Sequence, residues 1–228
     1  MKVKYLHPWD VTPREAVKIQ RALCGKLHLG EGKISGHVRY VGGADISYTR
    51  GDDRFFAAVV ILEWPSLCAV EEATHTEKVT FPYIPGLLSF REGPPLIRAF
   101  KKLKRVPDVV LFDGQGIAHP RGLGLASHMG ILLNMASVGC AKTKLVGEHG
   151  EVGGAAGDYA ELFFGGRTVG AVVRTKKRVK PIYVSQGHRV GLRQSIQIAL
   201  SCCRGYRIPE PVRQAHLLVN RMRRLSFC

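Results

Sequence analysis

The sequence of 228 residues contains no Cys-x-x-Cys pair, no uninterrupted apolar run long enough to cross a bilayer, no internal repeat and no low-complexity stretch. Its six cysteines, Cys24, Cys68, Cys140, Cys202, Cys203 and Cys228, include an adjacent pair and lack the spacing of a small secreted disulfide scaffold. They read as thiols in a reducing compartment. The missing spanning run excludes a transmembrane segment, and the opening residues Met1 to Val11 hold no apolar stretch of signal-peptide length. A soluble, cytoplasmic protein with no membrane partner is expected. No sustained apolar heptad pattern calls for coiled-coil assembly, so a monomer is expected. Acidic residues are also scarce, 18 against 34 Lys plus Arg, for a net charge of +16. Such a field draws in a polyanion and holds it by releasing counterions, which makes nucleic acid the first partner to test. A basic surface kept only for solubility is the alternative.

With 45% hydrophobic residues the chain is long enough to bury one core and short for two, so residues 1–228 are expected to form a single domain. Thr12-Pro13-Arg14-Glu15 is a helix start: Thr12 caps, Pro13 suits the first turn, and Glu15 completes a capping box. That helix should run to about Cys24 and end near Gly25. Strand-like runs follow at His37 to Tyr48, Phe55 to Glu63 and Ala69 to Lys78, the pattern of an antiparallel meander. Leu87 to about Lys104 is helical in pattern until Pro107 breaks it, and Val109 to Phe112 is an all-apolar run of the buried-strand type. A helix is predicted from Gly124 to Ser137, strands at Tyr159 to Phe164, Thr168 to Val173 and Ile182 to Ser185, and helices at Leu192 to Cys203 and Pro211 to Arg224. Strands first, then strand and helix in alternation, predict an α/β protein: a mixed sheet, antiparallel meander plus parallel strands, with helices on both faces.

Two carboxylates stand out. Asp45 lies in Val41-Gly42-Gly43-Ala44-Asp45-Ile46-Ser47, a segment otherwise too apolar to welcome a charge, so it needs a cation or hydrogen-bond donors. Asp113 ends the run Val109 to Phe112 and opens the turn Gly114-Gln115-Gly116, at the rim where ligands of such sheets bind. If the two strands are neighbours the carboxylates converge, an arrangement tolerable mainly with a divalent cation between them. Glu92, on the helix after Phe90-Arg91, offers a third oxygen ligand. Taken alone, a strand-end aspartate is more often a turn or cap residue.

Four segments carry more weight. Val41-Gly42-Gly43-Ala44-Asp45, Pro82 to Glu92 (PYIPGLLSFRE), Asp113 to Arg121 (DGQGIAHPR) and Gly139 to Leu145 (GCAKTKL) resemble, in order, the signature motifs of the endonuclease V (deoxyinosine 3′ endonuclease) family. Ser185-Gln186-Gly187-His188 and the stretch Arg204 to His216 match as well, so the resemblance spans about Trp9 to Arg224. It implies an RNase H-like fold, in agreement with the mixed sheet.

The same resemblance implies that Asp45, Glu92 and Asp113 bind metal, with His216 as a further ligand or a water-bridged partner. Hard oxygen ligands suit Mg²⁺, with Mn²⁺ able to substitute, for activating water and stabilising a leaving 3′ oxygen. A lone helix histidine is otherwise more often ordinary surface or core. Tyr83, stiffened by Pro82 and Pro85, would be a wedge entering the stack where a damaged base leaves; the plainer alternative is a core tyrosine. Gly86, Leu88, Gly114, Gly116 and Leu145 would line the pocket for that base, although each glycine could be a simple turn residue. His119 would contact nucleic acid near the pocket. Lys142 would act with the catalytic acids by offsetting phosphate charge, unless it is one more solvated base. Basic clusters at Lys101 to Arg105, Lys176 to Lys180 and Arg221 to Arg224 could track a backbone. Gln115 and Gly122 stand where many members of the family carry His or Arg, which leaves the details of base and strand contact open.

The implied activity is recognition of deoxyinosine in DNA and hydrolysis of the second phosphodiester bond 3′ to it, giving 3′-hydroxyl and 5′-phosphate ends and initiating repair. Inosine-containing RNA as the main substrate is the first alternative. A non-catalytic inosine-binding protein is the second, disfavoured by the presence of all three acids.

Overall fold

A computed structural model describes residues 1–30 and 38–226. The elements in chain order are α1 (Pro13–Cys24), β1 (Tyr40–Tyr48), β2 (Arg54–Glu63), β3 (Cys68–Lys78), α2 (Leu88–Lys102), β4 (Val109–Phe112), α3 (Leu125–Leu133), β5 (Ala136–Ala141), β6 (Tyr159–Phe164), β7 (Arg167–Val173), β8 (Ile182–His188), α4 (Leu192–Ser201) and α5 (Glu210–Leu225). The strands form one eight-stranded sheet in the order β3-β2-β1-β4-β5-β8-β7-β6. The meander β1-β2-β3 is antiparallel, β4 and β5 run parallel to β1, and β8, β7 and β6 return antiparallel. The expected mixed sheet is therefore present. No helix among the described residues is long and apolar enough to cross a membrane.

Both faces are covered, and the strands show why they read as nearly continuous apolar runs. On β2, Val60 and Leu62 pack toward α4 and α5 with Val212 and Ala215, while Val59 and Ile61 pack toward α2 and α3 with Leu96, Phe100 and Met129. β4 divides in the same way, Val109 and Leu111 against Val110 and Phe112. Side chains alternate across a strand, so a strand buried on both faces must be apolar at every position.

The capping box forms as expected: the Thr12 side chain accepts from the Glu15 N–H, and the Glu15 carboxylate accepts from the Thr12 N–H at 2.8 Å. The first strand was expected from His37; it begins at Tyr40, and His37 itself lies outside the described residues, as does Cys228. The larger departure is the helix expected from Gly124 to Ser137. The helix α3 ends at Leu133, and the segment beyond it becomes β5. Asn134 makes the break in the left-handed region at φ 54°, its N–H donating back to the Gly130 and Ile131 carbonyls. Every residue of α3 and of β5 is buried, so no polar face marks where one period gives way to the other.

Candidate functional site

Asp45 occupies the sixth position of β1, and Asp113 follows the last residue of β4. The parallel register pairs Ala44 with Phe112, so the next residues, the two aspartates, stand abreast, and the Asp113 N–H reaches the Ala44 carbonyl at 3.4 Å. Both lie on the α5 side. Helix α5 can come so close because position 43 has no side chain: a Cβ there would sit 1.9 Å from the Pro211 carbonyl oxygen. One and a half turns beyond Pro211, His216 Nδ1 meets Asp45 Oδ2 at 2.7 Å. One ligand atom each from Asp45, Asp113 and His216 fall within 4.8 Å of one another.

Glu92 does not belong to that tight group but stands beside it. Burial, and then the charges of Asp45 and Asp113, raise its carboxyl well above the ordinary value. Burial and Asp45 also raise Asp113, against the pull of Lys142, whose ammonium bonds Asp113 Oδ2. His216 moves up, first through its hydrogen bond to Asp45. These directions share one cause: two anions sit in a low-dielectric pocket with one ammonium and one imidazole as partial neutralisation. Oxygen donors in this arrangement fit a hard divalent cation.

Two residues not anticipated from the sequence extend the group. Asn220, one helical turn after His216, places its amide 3.0 Å from His216 Nε2, and its Oδ1 accepts from the Ser47 hydroxyl at 2.8 Å. The spacings His216-x-x-x-Asn220 on a helix and Asp45-x-Ser47 on a strand put each pair on one face, a signal available only once α5 is known to lie on β1.

Beside the acids is a cavity of about 110 Å³. Of the expected pocket residues, Gly86, Leu88 and Leu145 line it, together with Tyr83, expected as the wedge, and His119, expected to contact nucleic acid nearby. Gly114 and Gly116 do not. They flank Gln115, which lines the cavity and whose amide nitrogen donates to the Thr143 carbonyl at 3.0 Å. Gly114 packs on Leu125, while Gly116 permits a close crossing of β8, where a Cβ would meet the Gln186 carbonyl oxygen at 2.2 Å. Tyr83 is exposed (63%), so the core-tyrosine alternative does not describe it. The loop bearing it is tied down through the Gly86 carbonyl, which accepts from Gln20 Nε2 at 2.9 Å, His119 Nε2 at 2.9 Å and an Arg121 guanidinium nitrogen at 2.6 Å. His119 Nδ1 accepts from the Arg121 N–H, so its ring is the neutral Nε2–H tautomer; burial, then Arg121, lowers its pKa to about 4. Gln20 and Arg121 were also unforeseen, because α1 and the loop of residues 113–124 meet only in the fold.

The endonuclease V family profile matches residues 22–217 of the chain. Endonuclease V of Dehalococcoides mccartyi is 46% identical over 217 residues, covering 95% of this chain and 96% of that protein. Endonuclease V of Methanothrix thermoacetophila is 45% identical over 226 residues, 99% of each. Among solved structures, endonuclease V from Streptomyces avermitilis superposes with a TM-score of 0.90 at 37% identity over the whole of both chains. Endonuclease V of Ciona intestinalis, in complex with a 24-mer DNA containing an inosine followed by a ribo-adenosine, superposes with a TM-score of 0.83 at 29% identity, covering 93% of this chain and 98% of that one.

Proposed function

The chain belongs to the endonuclease V family, and from that premise we propose that it nicks strands containing a deaminated adenine, hydrolysing the second phosphodiester bond 3′ to deoxyinosine. The products are 3′-hydroxyl and 5′-phosphate ends, and the nick initiates repair. The observation that carries this reading is the gathering of Asp45, Asp113 and His216 within 4.8 Å, beside a cavity whose rim bears the exposed Tyr83. The Ciona relative's inosine-containing DNA supports the choice of lesion.

Asp45 and Asp113 would hold Mg²⁺, or Mn²⁺ in its place, with Glu92 and His216 completing the donor set. When bound, that ion supplies Lewis acidity toward a phosphoryl oxygen and toward water. The protein's own groups do the rest. The pocket takes the base out of the stack, Tyr83 fills the space it leaves, and the Gly86 carbonyl hub keeps the Tyr83 loop rigid. The Lys142 ammonium holds Asp113 in place and offsets phosphate charge. Neutral His119, its Nε2–H committed to Gly86, shapes the pocket floor without adding charge. The single eight-stranded sheet supports one domain over residues 1–228, and the free thiols of Cys24, Cys68, Cys140, Cys202 and Cys203 support a reducing, cytoplasmic setting.

A second reading is cleavage of inosine-containing RNA, favoured by the ribo-adenosine that follows inosine in the strand bound by the Ciona relative. Discrimination would then rest on the 2′-hydroxyl. End-labelled DNA and RNA strands bearing one hypoxanthine, incubated with and without Mg²⁺, test both. A Mg²⁺-dependent nick at the second 3′ bond is expected; release of free base, or intact strands throughout, would refute the proposal.

A further inference from the structure

The hairpin β6–β7 forms one edge of the sheet and carries two exposed aromatic rings, Phe163 (52% exposed) and Phe164 (37%). Strict alternation would send one of them inward next to buried Leu162. A register irregularity between Leu162 and Phe163 leaves both outside. Two phenylalanines on an open sheet edge are a liability unless something covers them. They border a groove of about 450 Å³ that Lys144 and Glu148 also line. Reciprocal backbone hydrogen bonds of 2.8 Å between Glu148 and Phe163 fix the groove walls to one another.

Positive charge flanks the rings. The Arg167 guanidinium lies over Gly122, where a Cβ would come within 3.3 Å of it, next to Arg121. Arg21 is near enough that, after burial, its charge lowers the Arg121 guanidinium. Among the described residues none of Arg21, Arg121 and Arg167 forms an ion pair with a carboxylate. Arg121 gives its Nε to Gln20 and one terminal nitrogen to the Gly86 carbonyl, and its other terminal nitrogen, with Arg21 and Arg167, offers the donors that a phosphate accepts.

Position relative to the cavity then selects the occupant. The acids stand at β1 and β4, whereas the groove is built on β6 at the far edge of the sheet, with β5, β8 and β7 between. Residues that lead from the acids toward that edge line the cavity, Gln115 after Asp113 and Leu145 after Lys142, and Lys144 and Leu145, consecutive in the chain, line the groove and the cavity respectively. The groove therefore continues the cavity on the side away from the acids. Resting on the proposed function, in which the bond cut lies 3′ of the lesion at the acids, we infer that this groove binds the unpaired nucleotide on the 5′ side of the extruded nucleoside. Its base stacks on Phe163 and Phe164, and its phosphate lies on Arg21, Arg121 and Arg167. Base stacking on aromatic side chains tolerates any sequence, as a surface flanking a lesion must.

The test uses the full chain as wild type, as the Phe163→Ala/Phe164→Ala double variant and as Arg167→Gln. Three single-stranded DNA probes carry one hypoxanthine: with both flanks, with the 5′ flank removed, and with the 3′ flank shortened to two nucleotides. Dissociation constants are measured in EDTA, and nicking with Mg²⁺. Loss of one stacked base predicts about tenfold weaker binding by the double variant on the strand with both flanks. The same gap is expected with the 3′ flank shortened, and none with the 5′ flank removed. Arg167→Gln should weaken the same two probes and flatten their salt dependence. Equal binding by all proteins, a gap that survives loss of the 5′ flank, or a change in self-association of the double variant by sedimentation would overturn the inference; the last would make the hairpin a docking edge for a second copy. A wild type that cuts none of the strands fails the proposed function, whereas one that cuts while the variants match it fails only this assignment.

Discussion

Acid should destabilise this protein through His128, by an amount the structure sets. His128 is completely buried in α3, within an aromatic group formed by His7, Trp9 and Phe90. Its two ring nitrogens are both committed: Nδ1 lies 2.8 Å from the Ser89 hydroxyl and Nε2 lies 2.7 Å from His7 Nε2. His7 Nδ1 in turn donates to the Pro8 carbonyl at 2.7 Å, so His7 Nε2 must accept, His128 Nε2 must donate, and Ser89 must donate to His128 Nδ1. One proton order satisfies the chain, and it keeps both imidazoles neutral. A proton added to His128 would turn the Ser89 hydroxyl from donor to acceptor and charge a dry site. Burial, then the neighbouring His7, accordingly pushes its pKa from 6.5 to about 3. Because the folded value is depressed, unfolding takes up a proton between about pH 3 and 6.5; stability is fully present above that window and is lost as the pH falls through it. The slope is about 1.4 kcal/mol per pH unit, or about 2 kcal/mol from pH 7 to pH 5, a sizeable part of an ordinary folding free energy. Urea unfolding at half-unit pH steps, followed by fluorescence of Trp9 and Trp64, measures it. His128→Gln changes the absolute stability at every pH, but its slope between pH 5 and 6.5 should be shallower than wild type by about the share of one proton, since His119 and His188, distant from the substitution, and His7, lowered mainly by its own burial, contribute to both proteins. Parallel slopes would refute the reasoning.

The acid group predicts opposite effects on stability and activity. Asp113→Asn removes the half-buried partner of the buried Asp45 and should raise the melting temperature in EDTA by about 2–4 °C for each kcal/mol relieved, while nicking falls below detection; a lower melting temperature in EDTA would count against the electrostatic account. His216→Ala should raise the Mg²⁺ concentration needed for half-maximal nicking about 10- to 100-fold, with Asn220→Ala shifting it less in the same direction, and an unchanged metal dependence would remove both from the site. Tyr83→Ala should leave urea stability within about 0.5 kcal/mol of wild type, as befits an exposed side chain. Its kcat/KM should fall on duplex substrate and much less on single strands, where no stack must be filled; equal losses would argue against a wedge. Gly116→Ala places a Cβ 2.2 Å from the Gln186 carbonyl and should cost about 3 kcal/mol or more in a urea melt, a neutral outcome showing that β8 can retreat.

The parts of the molecule legible in the sequence were those with a strong local period or a strong local conflict. The capping box at Thr12 and Glu15 needed no tertiary information, and Asp45 announced itself as a charge in an apolar, glycine-rich strand. The break between α3 and β5 had no such mark, because both elements are buried throughout and only the left-handed Asn134 separates them. Gln20, Arg121, Ser47 and Asn220 were silent for a different reason. Each is an ordinary polar residue on its own element, and becomes informative only when α1 meets the Gly86 carbonyl or α5 meets β1.

Sheet register is what turns two distant aspartates into one group. Ala44 pairs with Phe112, so Asp45 and Asp113 arrive side by side, and the two-residue period directs both toward α5 rather than α2. A slip of one residue in either strand would send its acid to the opposite face, against Phe100 and Met129, where a carboxylate has no partner. The apolar residues on each face of β1 and β4 oppose that slip, since it would exchange Val109 and Leu111 with Val110 and Phe112 between two differently shaped cores. The missing side chain at Gly43 then lets α5 settle close enough to bring His216 to Asp45. The residues that build the core thus hold the acids together against their mutual repulsion, and the repulsion is what leaves the group ready for a cation.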